Sequence, residues 1–168
     1  MRQRIVISGL GGQGVLTLTR VLAEAALLAG HEVITSETHG MAQRGGAVLS
    51  TVKVGPFHGP LLCPGEAEIG LFLHAENLAV HGGLLHPAGS AFLNGSAAGS
   101  HPAVDATRLA AAVGAPRAAN LALLGFAAGS GRLFADCEGL ERAIAAAAGA
   151  RHLQGSLAAF HAGLEAWR

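Results

Sequence analysis

Three features of the chain predict a single α/β domain, a largely parallel sheet sandwiched between helices. A β-branched run, Ile5-Val6-Ile7, ends in a glycine cluster and gives way to a segment of helical period. That segment stops at Gly30, and a second apolar run, Val33-Ile34-Thr35, completes a strand–helix–strand unit of about 30 residues. Strand-like and helix-like segments then alternate with no linker between them, so residues 1–168 read as one domain.

Each element has its own warrant. Ile5 to Ser8 reads as a buried first strand. Val15, Leu18, Val21-Leu22, Ala25 and Leu28-Ala29 recur at three and four, giving one apolar helical face that Gly30 ends. The strand after it should run parallel to the first through a right-handed crossover. Ser36 to Gly46 reads as a polar loop. Ala47 to Val54 carries apolar residues on both faces, as a strand that is antiparallel or at an edge. Gly55-Pro56 and Gly59-Pro60 mark a turn-rich excursion around Phe57 and His58. Ile69–Leu73 is the next strand, followed by a helix to about His81 and a strand at Ala91–Asn94. Helical segments follow at Leu109–Val113, Arg117–Ala128, Leu140–Ala148 and Leu157–Trp167.

Composition excludes several classes. Hydrophobic residues are 51% of the 168 and charged ones 13%, which suits a sizeable core rather than disorder. Eleven Lys+Arg balance eleven Asp+Glu, so no basic surface for nucleic acid is expected. The apolar surplus also fits a subunit partly covered by other chains. No apolar run reaches the roughly 18–20 residues that span a bilayer. The basic start Met1-Arg2-Gln3-Arg4 leads into an apolar stretch that Gly9–Gly14 cuts short, so a cytoplasmic protein rather than an exported one is expected.

The glycine run Gly9-Leu10-Gly11-Gly12-Gln13-Gly14 fits G-x-G-x-x-G between a strand and a helix, the Rossmann-like arrangement. Its glycines permit positive φ, and amides at the helix start attract anions such as phosphate. Glu37, 23 positions after Gly14, could meet a ribose in a dinucleotide site. The plainer reading is tight strand–helix packing. A second polar segment offers Glu37, His39, Gln43 and Arg44, with Gly45-Gly46 behind them. Arg44 could clamp a phosphate or carboxylate bidentately, or the segment could simply pack on the glycine turn or on a neighbouring subunit. Nine scattered histidines and two cysteines, Cys63 and Cys137, show no metal-ligand spacing. Neither a serine-hydrolase elbow nor a P-loop is present, and no residue stands out as catalytic.

Taken together, the glycine run and His39-Gly40-Met41-Ala42-Gln43-Arg44-Gly45-Gly46 resemble the gamma subunit or domain of 2-oxoacid:ferredoxin oxidoreductases, in particular the small beta-subunit form of the indolepyruvate enzymes. Gly65-Glu66-Ala67-Glu68, Asp105-Ala106-Thr107, Asn120 to Gly125 and Leu157 to Gly163 continue the likeness in order. The resemblance implies a subunit of a complex that converts a 2-oxoacid to acyl-CoA, CO2 and reduced ferredoxin. It implies thiamine diphosphate, magnesium and iron–sulfur clusters on catalytic partner chains, none on this one, with coenzyme A as co-substrate. Ligand- or interface-binding residues are expected at Gly9, Gly11, Gly12, Gln13, Gly14, Glu37, His39, Gln43, Arg44, Gly45 and Gly46. The alternative is a free-standing NAD- or FAD-binding domain with Glu37 on the ribose.

Overall fold

In a computed structural model, which describes residues 1–39, 46–96 and 99–168, one six-stranded sheet organises the chain. Its strands are β1 (Gln3–Leu10), β2 (Val33–His39), β3 (Ala47–Val54), β4 (Ala67–Phe72), β5 (Leu85–Asn94) and β6 (Ala103–Val104). They lie in the order β2-β3-β1-β4-β5-β6. β1, β4, β5 and β6 pair in parallel, whereas β3 runs antiparallel to both β1 and β2. The sheet is therefore mostly parallel, with one reversed strand in its interior.

The position of β3 corrects two expectations. It is antiparallel, as one reading of Ala47–Val54 had it, but it is not at the edge. It sits between β1 and β2, pairing Gln3 with Val54 and Leu10 with Ala47 on one side, and Val33 with Val54 on the other. The strand–helix–strand unit is thus split by an inserted strand. Chain length explains the reversal: residues 40–46 are too few for a parallel crossover of a dozen or more, so the chain must return as a hairpin. Interior placement explains the apolar residues on both faces of β3. The second strand is also longer than expected. Ser36 to His39 belong to β2 rather than to a loop. β6 was not foreseen, since two residues carry no period.

Among the described residues six α-helices follow from local pattern: α1 (Val15–Leu28), α2 (Asn77–His81), α3 (Ala106–Ala112), α4 (Ala119–Gly129), α5 (Cys137–Ala147) and α6 (Leu153–Ala166). Their bounds lie within a few residues of the periodic segments, except that α6 begins four residues earlier than Leu157. α1 buries Val15, Leu18, Val21, Leu22, Ala25 and Ala26, and ends where Gly30 turns at φ 75° and His31 N–H reaches Ala26 O at 2.9 Å. The larger core lies between the sheet and α1, α3, α4, α5 and α6, while a smaller one on the other face joins Val6, Phe72 and Leu93 to Leu78 of α2.

α4 has no polar face and is a core helix. α6 lies against it at backbone contact: a methyl on Gly125 would overlap the Phe160 carbonyl oxygen, and one on Gly163 would overlap that of Ala122. Trp167 then closes over Gly129, Phe92 and Phe126, with its ring centroid 5.0 Å from that of Phe126. This rigid pair forms one wall of the cleft described next.

Candidate functional site

The turn after β1 stands at the carboxyl end of the parallel strands, where open α/β sheets place ligands. Its glycines do different work. A side chain on Gly9 would press on Leu73 Cβ and Val15 Cγ2, each at 3.0 Å, so this glycine allows strand and helix to approach. Gly12 and Gly14 have φ of 88° and 86°, which L side chains rarely adopt. Space around Gly12 is open, whereas Gly14 abuts the Asn120 side chain. Gln13 turns inward: its Oε1 accepts from Leu10 N–H at 2.7 Å and its Nε2 donates to Leu73 O at 3.3 Å. Gly11 N–H donates to Gly46 O at 3.2 Å, so the two sequence motifs meet through their backbones.

Buried and half-buried polar side chains hold this edge together. Asn120 Nδ2 donates to Gly14 O at 3.1 Å, tying the start of α4 to that of α1. Asn94 Nδ2 donates to Leu73 O at 3.2 Å while its Oδ1 accepts from Ala106 N–H at 2.9 Å. Beneath the turn, Asn77 Nδ2 donates to Ser8 Oγ and to Gly9 O, both at 3.0 Å, and Ser8 Oγ lies 2.7 Å from His81 Nδ1. Burial pushes the His81 imidazole below its ordinary pKa. Neutral His81 can then accept the Ser8 hydroxyl proton.

Two adjoining recesses open on the far side of Gly12, of about 670 and 520 Å³. Gly12, Pro116, Arg117 and Asn120 line both. The larger gathers the first turns of α1 (Gly14, Thr17), of α4 (Asn120, Leu121) and of α6 (His152, Gln154, Ser156), together with Arg117 and Arg151. None of these three helices has a side-chain N-cap or an acidic residue in its first turn. α3 and α5 contrast with them, since Asp105 and Asp136 accept from Arg108 N–H and Gly139 N–H at 2.8 Å. Each uncapped start carries roughly half a positive charge. Among the described residues no carboxylate lines either recess. The cleft therefore suits an anion with several oxygen acceptors.

The other site candidates fall differently. Glu37 is exposed on edge strand β2, opposite Ser50 of β3, which itself faces Ile7 of β1. It is level with the middle of β1 and two strand spacings away, about 10 Å, which does not suit a ribose bound at the glycine turn. His39 ends β2. Gln43, Arg44 and Gly45 lie outside the described residues. Arg117, Arg151, His152, Asn94, Asn120 and the Ser8–Asn77–His81 cluster were not foreseen as site residues. One available signal was position: Asn94 ends a parallel strand, and Arg117 and His152 precede helices.

A family model described as pyruvate ferredoxin/flavodoxin oxidoreductase matches residues 4–166. The chain belongs to this family. Over 69 residues it is 51% identical to indolepyruvate oxidoreductase subunit IorB of Archaeoglobus fulgidus, a match covering 41% of this chain and 34% of that protein. The Methanothermobacter thermautotrophicus counterpart is 41% identical over 69 residues, covering 41% of this chain and 35% of that protein. The match thus spans about a third of the length of these relatives. Among solved structures, the gamma subunit of keto/oxoacid ferredoxin oxidoreductase from Geobacter sulfurreducens superposes with a TM-score of 0.81 at 24% identity, covering 98% of both chains. A 2-oxoglutarate:ferredoxin oxidoreductase from Magnetococcus marinus, with 2-oxoglutarate, coenzyme A and succinyl-CoA bound, gives 0.79 at 20% identity over 99% of this chain and 31% of that one. These two likenesses establish the fold, and the free-standing NAD- or FAD-binding alternative is not favoured.

Proposed function

We propose that this family member is a gamma-type subunit, one domain over residues 1–168, of a cytoplasmic 2-oxoacid:ferredoxin oxidoreductase that yields acyl-CoA, CO2 and reduced ferredoxin. The observation that carries the reading is the carboxylate-free cleft where three uncapped helix starts meet Arg117 and Arg151. Coenzyme A offers a diphosphate and a phosphomonoester, the chemistry such a cleft accepts. Its proposed role here is to bind and orient the co-substrate while partner subunits perform the redox steps.

The residues present do not fit a thiolate-held cluster. Among the described residues no three His, Cys, Asp or Glu side chains gather as metal ligands. Cys63 is exposed in the loop before β4, and Cys137 opens α5. Two cysteines are too few for a thiolate-held cluster, and thiamine diphosphate, magnesium and the clusters are proposed to sit on partner chains. Gln43, Arg44, Gly45 and Gly46, with His39 and Glu37, remain in the proposal as ligand or subunit contacts beside the turn. Among the described residues no helix is long and apolar enough to cross a membrane.

Affinity purification of the tagged chain from its native cells tests the reading. A large partner carrying thiamine diphosphate and iron–sulfur absorbance, with dye reduction that needs both a 2-oxoacid and coenzyme A, is the expected result. Within that complex, Arg117→Ala with Arg151→Ala should raise KM for coenzyme A and leave KM for the 2-oxoacid unchanged. Recovery of the chain alone, binding NAD tightly and coenzyme A not at all, would overturn the proposal.

A further inference from the structure

The outer face of α1 borders the cleft at Thr17, yet it is apolar at both ends where a solvent-facing helix is normally polar. Leu27 and Leu28 are 58% and 51% exposed, and Leu16 is 37% exposed. Helical spacing puts Leu16, Arg20 and Leu27 along one line of this face and Thr17, Glu24 and Leu28 along the next. A recess of about 360 Å³, walled by Leu10, Val15, Val48 and the glycine turn, opens beside Leu16. Arg20 and Glu24 stand one turn apart at the centre of the face. Among the described residues neither has an ion-pair partner in its own chain.

We infer that this face docks a second copy of the same chain, α1 against α1 in antiparallel sense. The pattern is self-complementary about its midpoint at Leu22. A two-fold axis there sets Leu16 level with Leu28 of the second copy, Thr17 with its Leu27, and Arg20 with its Glu24. Each contact occurs twice, as an isologous interface requires. The central charges then pair between copies, and the leucines at both ends leave water, with Leu28 of the second copy reaching the recess beside Leu16. A different chain would have no reason to match both halves of the face with the charges exchanged. One 14-residue helix pair covers less than the roughly 800 Å² per partner of a standard interface, so the association is weak and reversible.

Sedimentation equilibrium of the purified full chain, from about 10 to about 500 µM, tests the inference. The wild type should pass from monomer to dimer within that range. Arg20→Glu sets two glutamates against two, and Glu24→Arg sets two arginines against two, so each variant alone should dimerise about tenfold more weakly. Mixing the two variants restores opposite charges at both positions and should recover wild-type affinity as a mixed dimer. Circular dichroism checks that the variants fold, which substitution at these partly exposed positions should permit. A wild type that stays monomeric throughout, single variants that dimerise like the wild type, or a mixture no tighter than its components would each overturn the inference. The first outcome would leave the face to a chain of another kind.

Discussion

The two ends of the sheet treat polarity in opposite ways. At the amino end of β1 and β4 the charges have partners within the chain. Arg4 holds Glu68 at 2.6 Å and Glu66 at 3.4 Å, and the Arg2 guanidinium lies 4.4 Å from the centre of the Phe57 ring. Lys53, almost fully buried, donates to the carbonyls of Gly59 and Leu61. At the carboxyl end, three helices begin without caps, and two arginines share the space with no carboxylate. Apart from Leu121 N–H, which donates to Asn120 Oδ1 at 2.9 Å, such a concentration of helix-start donors opposes folding unless water or a ligand satisfies it. An end that answers its own charges is structural. An end that leaves them open, held in place by Asn94 and Asn120, is where the proposed ligand would find its partners.

The largest expected effect breaks the wall behind the cleft. Gly163→Val must push α6 off α4, because even a methyl there overlaps the Ala122 carbonyl oxygen. A loss of about 3 kcal/mol or more is expected in urea denaturation, at the upper end of overpacking costs. A loss under about 1 kcal/mol would show that the helices can separate without harm.

The glycine turn should respond less, and unequally. Gly14→Ala combines left-handed backbone with a clash against Asn120, so about 1–3 kcal/mol is expected. Gly12→Ala meets open space and only the backbone preference, about 1 kcal/mol. Equal losses at the two positions would mean that Asn120 does not anchor the turn.

Acidity separates the two ends further. Burial lowers the folded-state pKa of His81, so its stabilising contribution is complete above the ordinary imidazole value of 6.5 and is lost as pH falls through the folded value. Protonation would also take from Ser8 the acceptor of its hydroxyl proton. At Glu68 burial opposes ionisation, but the side-chain and backbone hydrogen bonds from Arg4 outweigh it and hold the carboxyl below its ordinary 4.5. That contribution is complete above about 4.5 and is lost as pH falls through the folded value. Melting temperature should therefore fall in two windows on acidification. His81→Gln should remove the upper one and spare the lower, and an unaltered profile in that variant would reject the assignment.

How much of this was legible in the sequence follows from the range of each interaction. The strand–turn–helix at Ile5 to Leu28 could be read because its period, glycines and stop signal are all local. The antiparallel sense of β3 was half-legible, but its insertion beside β1 was not. Pairing of Gln3 with Val54 is a long-range event to which alternation along one strand is blind. The glycine turn was legible from its spacing, whereas the place of Arg117, Arg151 and His152 beside it was not. They reach the cleft only because α4 and α6 lock together through Gly125 and Gly163, two glycines that read from the sequence as ordinary helix residues. Motif spacing located the glycine turn, and tertiary packing supplied most of the charge of the candidate cleft beside it.

The smallest stability effect makes the sharpest test of the contrast between the two ends. Arg117 and Arg151 are exposed and, among the described residues, have no ion-pair partner. Replacing either with alanine should change the unfolding free energy by no more than about 0.5 kcal/mol. Removing cations from a convergence of helix starts relieves repulsion, so the sign could even be stabilising. Arg4→Ala should behave otherwise, because it strands Glu68 and Glu66 without their cation and costs stability near neutral pH. In the proposed complex the order should invert: Arg117→Ala and Arg151→Ala should each weaken coenzyme A binding by about tenfold, one charge-assisted hydrogen bond apiece, while Arg4→Ala should leave that affinity unchanged. Urea denaturation of the subunit and calorimetric titration of the complex read the two orders separately. If Arg117→Ala or Arg151→Ala destabilised the fold as Arg4→Ala does, with coenzyme A affinity intact, the carboxyl end would be another self-satisfied surface and the contrast between the ends would fail.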